Sequence, residues 1–438
     1  MRRMLLLVLL FVANHSMAQL SEPFKELKNY IKTQPPKIEI DTTPYLDMVY
    51  KKGNHYLLPL YKAFIQEQRG LSRNAGFYYE VLAQATSFLG DHKTVLAFEK
   101  ASYETENLVD SVKTEISKHA DIAKNISYID AKQYILSQAK RNRVVMINEA
   151  HDKPQTRVFT ASLLEDLYQQ GFRYLAMEML DNVLSKAVLK VNAATGYYTA
   201  EPIAAELIRK ALEIGYTLVP YEDTVADHSV NKREYAQAQN IYDFLAKKDT
   251  TAKILVHAGY SHIEEGAASD DRIPMAAYFK IISGIDPLTI DQTEMIELSN
   301  NPYSALLYDV WTKKRPVSSP SVALLNEKPV DPYGFNLTDI HVIHPPTKYV
   351  NERPTWAAMN GWRNEIPVSA AYRSTFLVQA YYEKEYNEAN PGLAVPADQT
   401  YLSAANGVYY VYLHKGKYKL VFRDKLYEVL GTKDIVVN

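Results

Sequence analysis

The chain contains no cysteine in its 438 residues. That excludes disulfides, thiolate metal sites, a thiol nucleophile and a lipid-modified cysteine behind a leader. The fold must rest on a hydrophobic core alone, and a chain of this length can build one. Tryptophan is scarce as well, with 3 residues against 13 Phe and 34 Tyr. The tyrosine bias supplies apolar contact area with a polar tip, a combination suited to wet grooves and interfaces. Neither sign of charge is in excess. Lys and Arg total 49, Asp and Glu total 51, and the formal net charge is -2. No basic field therefore exists to attract nucleic acid. Past the first residues there is no run of 18 apolar positions, so no membrane span is expected in the mature form, which is expected to be soluble. No unit recurs at a fixed period either.

What is present begins with a leader. "MRRMLLLVLLFVANHSMAQ" places Arg2 and Arg3 before an apolar core from Met4 to Ala13. Ser16 and Ala18 are the small residues of a cleavage site before Gln19. This pattern predicts a secretory signal peptide over 1–18, because an apolar core of about ten residues is too short to cross a bilayer. The alternative is an N-terminal anchor. The mature protein is expected in the periplasm or outside the cell.

The length allows two or three domains of roughly 100–200 residues each. Residues 19–140 read as a helical region. Within it, the stretch 74–102 places Tyr79, Leu82, Ala83 and Thr86 on one face, breaks at Gly90 and Asp91, and resumes with Val95, Leu96, Phe98 and Ala101. This predicts a helical hairpin, similar to one tetratricopeptide-type unit or to a plain helical cap on the next domain. From Arg143 the pattern changes. Apolar runs at 144–148, 174–179, 217–223, 253–260 and 287–293 alternate with helical periods at 155–170, 201–213, 232–248 and 272–282. Strands rich in Val, Ile and Leu alternating with helices predict an α/β fold, a mostly parallel sheet flanked by helices over 141–295. The region 296–438 is interrupted by Pro and reads as mixed loops and short strands. At 406–430, aromatic and polar residues alternate around a Lys-Gly turn, which predicts a hairpin in a small β-rich extension.

Right-handed crossovers place the C-terminal ends of parallel strands on one edge, where open α/β sheets bind ligands. Polar residues gather at those ends. Strand one ends in Glu149, His151 and Asp152, strand two in Glu178, and strand three in Glu222 and Asp223. Strand four carries His257 and leads to His262, and strand five ends in Asp291. Converging His and carboxylates can hold a divalent metal or act as an acid–base pair. Without Cys, such ligands suit Zn, Mn, Co or Fe. Arg157, on the first turn of the next helix, is placed to hold a carboxylate or an anionic substrate. Each residue also has a plainer role. Asp152 before "KPQT" fits a helix N-cap. His257, inside an apolar run, fits a satisfied core histidine. Glu178 in "LAMEML" is a carboxylate within a buried strand and needs a partner, for which Arg157 and Arg173 are candidates. His341 and His344 read as surface residues, and His228 and Arg233 flank a loop that would overhang the edge.

The stretch "INEAHDKPQTRVFTASLLEDLYQQGFRYLAMEML" resembles the opening of the superfamily that joins erythromycin esterases, ChaN-like haem-uptake proteins and Tiki/TraB proteins. "VHAGYSHI" resembles its second motif, a Gly-x-x-His after a later strand. The resemblance covers about 140–295 and is closest to the ChaN-like branch. It implies that Glu149 and His151 match the first motif, Glu178 the carboxylate of strand two, and His262 the second His. It implies ester hydrolysis as in the esterases, metal-dependent peptide hydrolysis as in Tiki-like members, or haem binding as in the ChaN-like ones. Asn148 stands where the family has Gly, and Asn tolerates the left-handed backbone angles such a turn can require.

Three readings follow. In the first, the protein is an exported hydrolase of a small-molecule or peptide substrate. Glu149 or Glu178 is then the general base, His151 and His262 are metal ligands or acid–base and oxyanion partners, and Arg157 clamps the substrate. A metal in such a site lowers the pKa of its bound water to about 7. In the second, it binds haem or a metal without turnover, with Tyr as a ligand for ferric haem. In the third, it is a binding scaffold.

Overall fold

The computed structural model describes residues 20–38, 43–45, 47–51, 53–70, 75–105, 110–182, 191–247, 250–266, 271–388, 392–402 and 409–438. The leader expected over 1–18 lies outside them. The chain opens with helices α1 (Glu22–Thr33), α2 (Asp47–Lys51), α3 (Leu58–Gln68), α4 (Ala75–Phe88), α5 (His92–Thr105) and α6 (Asp110–Asn125). The pair α4 and α5 is the hairpin read from the sequence, turning at Gly90 with φ 72. A short strand β1 (Ser127–Asp130) and helix α7 (Ala131–Ala139) lead into the alternating segment. That segment runs β2 (Val144–Glu149), α8 (Pro154–Gln169), β3 (Phe172–Met177), α9 (Pro202–Ile214), β4 (Thr217–Pro220), α10 (Val230–Lys247), β5 (Lys253–Gly259), α11 (Met275–Ser283) and β6 (Leu288–Asp291).

The fold is α/β, as the alternation predicts. Among the described residues the main sheet has nine strands in the order β1-β7-β9-β6-β2-β5-β3-β4, with β8 paired to β7. From β9 (Ile340–Ile343) across to β4 the pairings are parallel, and β1, β7 (Ser321–Leu325) and β8 (Lys328–Pro329) add antiparallel pairs at the other edge. The sheet therefore does not stop at 295. Strands β7 and β9 come from the Pro-interrupted region beyond helix α12 (Pro302–Lys314). Strand β2 is buried at every position, as befits its place in the middle of the sheet. Alternation sends Val145 and Ile147 to the face covered by α8 and α9, and Val144 and Met146 to the face covered by α10 and α11. Pro202 opens α9 behind Glu201, and Gly215 stops it at φ 111.

Two strand placements differ from expectation. Strand β3 spans 172–177 rather than 174–179, so Glu178 lies just past its end instead of inside it. The tail does not form a hairpin at the Lys-Gly turn. After β10 (Tyr349–Val350) and β11 (Arg353–Pro354) come β12 (Asn364–Val368), β13 (Leu377–Tyr382), helix α13 (Glu383–Glu388) and β14 (Asp398–Tyr401). Strand β15 (Tyr409–Leu413) pairs with β12, whereas β16 (Gly416–Arg423) pairs with β13 and β17 (Val429–Val437). Gly416 with φ 154 turns the chain from one sheet into another, and the hairpin is β16–β17. The helical region shares one apolar core with this C-terminal sheet, through Phe64, Phe88 and Phe98 against Phe376, Leu377 and Tyr427.

Candidate functional site

Glu149 ends β2 directly opposite Gly259, which ends β5. The Glu149 carboxylate is 2% exposed and carries a forked pair from Arg157, with Nε to Oε2 at 2.7 Å and Nη2 to Oε1 at 3.0 Å. Arg157 Nη1 reaches Glu201 Oε2 at 3.1 Å, and Glu201 also accepts from the first amides of α9. Burial opposes the charge on Glu149, but Arg157, His257 and His151 outweigh it and hold the carboxyl well below its usual range. Arg157 is itself fully buried, so it does not clamp a substrate. It positions Glu149.

His151 stands two residues beyond the strand end, with Nδ1 3.2 Å from Glu149 Oε1. The ring is stacked on Tyr198 at 4.4 Å and edge-on to Tyr260 at 4.8 Å. Tyr260 Oη accepts the His151 backbone N–H at 3.2 Å. Tyr260 adopts φ 42, an uncommon angle for a bulky residue that accompanies functional geometry.

Glu178 lies across the end of β5. The Gly259 amide donates to its Oε2 at 2.6 Å and Arg233 Nη2 donates to its Oε1 at 2.8 Å. His262 Nε2 is 3.4 Å from the same Oε1. The partner expected in Arg157 or Arg173 is thus Arg233. Arg173 instead lies over the Tyr168 ring on the rim of the sheet. Burial opposes the Glu178 charge, but His262, His151, the Gly259 amide and Arg233 lower the carboxyl below its usual value. Burial would lower the His262 imidazole, yet Glu178 and Glu234 raise it. His262 Nδ1 is 2.8 Å from Glu234 Oε2.

Gly259 makes this crowding possible. A Cβ there would lie 2.6 Å from His151 Cε1 and 3.2 Å from Glu178 Oε2. The same point therefore touches both side chains. The four residues matched by motif, Glu149, His151, Glu178 and His262, meet around the ends of β2, β3 and β5. A cleft of about 690 Å³ opens beside them, lined among others by Glu178, Glu222, Arg233, Tyr50, Tyr197 and Tyr198.

Of the other strand-end residues, Glu222 joins the site, accepting Arg233 Nε at 2.9 Å, and the rest do not. Asp152 is not a helix cap. Its carboxylate takes Lys153 Nζ at 3.2 Å, and the first turn of α8 has no side-chain cap. His257 is a core histidine whose imidazole burial pushes down, against the pull of Glu149. Asp291 serves structure, accepting from Asn148 Nδ2 at 2.5 Å and from Thr293 Oγ1 at 3.1 Å. Asn148 needs no left-handed angle, because it lies within the ladder of β2 and ties that strand to Gln292 and Tyr260. His341 and His344 are not surface residues. They are 8% and 3% exposed, with His341 paired in register to Asp291 inside the sheet. His228 holds Asp223 at 2.6 Å on the exposed side. Arg233, Glu234 and Tyr198 complete the site from outside the motifs, and Tyr260 joins from a variable position within the second one. Arg233 closes the first turn of α10 and Glu234 follows it; the helix comes after strand β4, and a helix start after a parallel strand belongs on this edge.

The donors do not fit a divalent metal. Among the described residues no group of three or more His, Asp or Glu is placed to hold one. Physically, Glu149 and Glu178 already face the guanidinium groups of Arg157 and Arg233, so a cation would meet two positive charges. Burial pushes the phenols of the cleft tyrosines up, Tyr198 to about 12 and Tyr197 and Tyr50 higher still.

No protein-family model matches the chain, and no curated protein sequence does. Two solved structures are similar at a distance. One is described as "Bacterial protein toxins", at TM-score 0.30 and 10% identity over 62% of this chain and 65% of that one. The other is the crystal structure of RRSP, a MARTX toxin effector domain from Vibrio vulnificus CMCP6, at TM-score 0.29 and 12% identity over 63% of each chain. The chain thus spans a little under two thirds of each.

Proposed function

We propose that the protein is an exported hydrolase that cleaves an ester or peptide-like bond with water activated by histidine. The observation that carries this reading is the meeting of Glu149, His151, Glu178 and His262 beside one cleft. The resemblance of the same four residues to the erythromycin esterase, ChaN-like and Tiki group agrees with it. Glu149 is too buried and too firmly held to take a proton, and it orients His151 instead. His151 is the general base: Nδ1–H donates to Glu149, which leaves Nε2 to accept a proton from water. Glu178 stands between the two imidazoles and stabilises the positive charge that forms on His151. His262, whose imidazole Glu178 and Glu234 raise above its usual value, gives its Nε2 proton to the leaving group. The Arg233 guanidinium beside Glu178 stabilises negative charge developing on the substrate. The apolar core of the leader and its Ser16/Ala18 site support export, and mass spectrometry of the secreted form is expected to start at Gln19.

The test is hydrolysis of a p-nitrophenyl ester and of a chromogenic peptide, with and without a chelator. Activity that survives chelation and disappears in His151→Ala supports the reading. Activity that persists in His151→Ala, or none on either substrate class, refutes it.

A further inference from the structure

The mechanism leaves one buried carboxylate beside the site unused. Glu234 lies near the start of α10, just past its first turn, and is 1% exposed. Its Oε2 faces His262 Nδ1 at 2.8 Å and also accepts the Met275 amide at 2.8 Å, at the start of α11. Its Oε1 accepts Arg272 Nε at 2.8 Å, and a second guanidinium nitrogen of Arg272 contacts the same oxygen. A carboxylate with these three donors can only accept, so the proton between the two groups belongs to His262 Nδ1. That leaves Nε2 as the nitrogen that faces Glu178 and Arg233.

We propose that Glu234 is a positioning residue for the reaction: it fixes the tautomer and ring orientation of His262, so that Nε2 carries the transferable proton toward the leaving group. The proposal rests on the hydrolase reading and deepens it. Glu149 orients His151 from one side of Glu178, and Glu234 orients His262 from the other. Each imidazole is thus held by a carboxylate that itself bonds a buried or half-buried arginine. The charged groups around His262 are Glu178, Arg233 and Glu234, with Arg272 behind the last. Burial works against ionisation of Glu234, but His262 and Arg272 keep it charged.

Glu234 also bonds the start of α11, so a plain structural role has to be separated from a positioning one. The experiment compares Glu234→Gln and Glu234→Asp with the parent in kcat, KM, urea midpoint and the ring ¹⁵N shifts of His262. Glu234→Gln keeps the size of the side chain and an acceptor for the Met275 amide, but removes the charge. The expected result is a fall in kcat of about 100-fold or more with KM nearly unchanged. The His262 ring signals are expected to change, and the urea midpoint to move little. Glu234→Asp is expected to recover part of the lost kcat. Unchanged kcat in Glu234→Gln, in a protein whose His151→Ala variant is inactive, overturns the proposal and leaves the hydrolase reading intact. A Gln variant that unfolds shifts the decision to Glu234→Asp, where a folded protein with no recovered activity overturns it as well. Full activity in His151→Ala would instead remove the hydrolase reading itself.

Discussion

At the scale of single residues, the site turns on one carboxylate and one glycine. Glu178 is reached by two imidazoles, an amide and a guanidinium, so its charge is what the surrounding groups are built to meet. Replacing it by Gln keeps the volume and removes that charge. Activity is expected to drop at least about 100-fold, while the urea midpoint and circular dichroism stay close to the parent. A Glu178→Gln variant with full turnover would leave the geometry standing and take this residue out of the chemistry. Gly259 has an ordinary backbone, φ -79 and ψ 140, so conformational freedom is not why glycine is there. The reason is space, since a Cβ would press on His151 Cε1 at 2.6 Å. Gly259→Ala is expected to tilt the His151 ring away from Glu149 and cost roughly 100-fold in kcat, the scale of an ångström of misplacement. Wild-type kcat in that variant would mean that the ring moves without consequence. Glu149, His151, Glu178 and His262 were legible in the sequence because parallel strands bring their ends together whatever their separation along the chain. Arg233 was legible only as flanking a loop over that edge, and Glu234 was not seen. Charged residues near the start of an amphipathic helix look like ordinary solvated positions, and only the placement of α10 beside the ends of β3 and β5 turns them inward.

At the scale of elements, Arg157 joins three of them. It lies on α8, forks onto the last residue of β2, and reaches Glu201 at the start of α9. The alternation of apolar runs and helical periods made these elements readable. Their exact ends were less so, since "RYLAMEML" is apolar on both sides of Glu178 and its hydropathy does not say where pairing stops. The tail misled for a related reason. Tyr and Val recur through β15 and β16 alike, and nothing local separates a turn inside one sheet from a crossing between two. Removing Arg157 tests how far this buried junction is shared. Arg157→Leu leaves Glu149 and Glu201 buried without their cation, which typically costs about 3–5 kcal/mol. Urea denaturation at neutral pH is expected to show a loss of that size. A loss below about 1 kcal/mol would mean that one carboxylate takes a proton or that water enters the junction.

At the scale of the whole molecule, the helical region and the main sheet meet across a seam of buried groups that titrate. His92, at the start of α5, contacts Thr347 at 3.2 Å, three residues after His344, and Thr347 in turn bonds Gln155 on α8. His344 packs edge-on against Phe159 of α8. This seam was read from the sequence as surface, because Pro345 and Pro346 after "HVIH" look like a loop. Burial lowers the His344 imidazole to about 4 and the His92 imidazole to about 3. For both, the folded value lies below the unfolded one, so the unfolded chain binds the extra proton. Their contribution is intact above about pH 6.5 and is lost as the pH falls toward the folded value. The net slope of stability will not show this directly. Burial pushes Glu264 and Glu294 up to about 7, and these groups favour the folded state as they protonate over the same range. The difference between the parent and His344→Phe isolates the histidine. A phenyl ring fills the site without a proton to bind, so the variant lacks the acid-sensitive term. Between pH 7 and pH 4 the stability of the parent is expected to fall relative to the variant by roughly 3 kcal/mol, from a shift of 6.5 to about 4. Urea midpoints at pH 7, 5.5 and 4 measure it. Parallel pH profiles for the two proteins would mean that the seam opens to water before the imidazole is forced to take a proton.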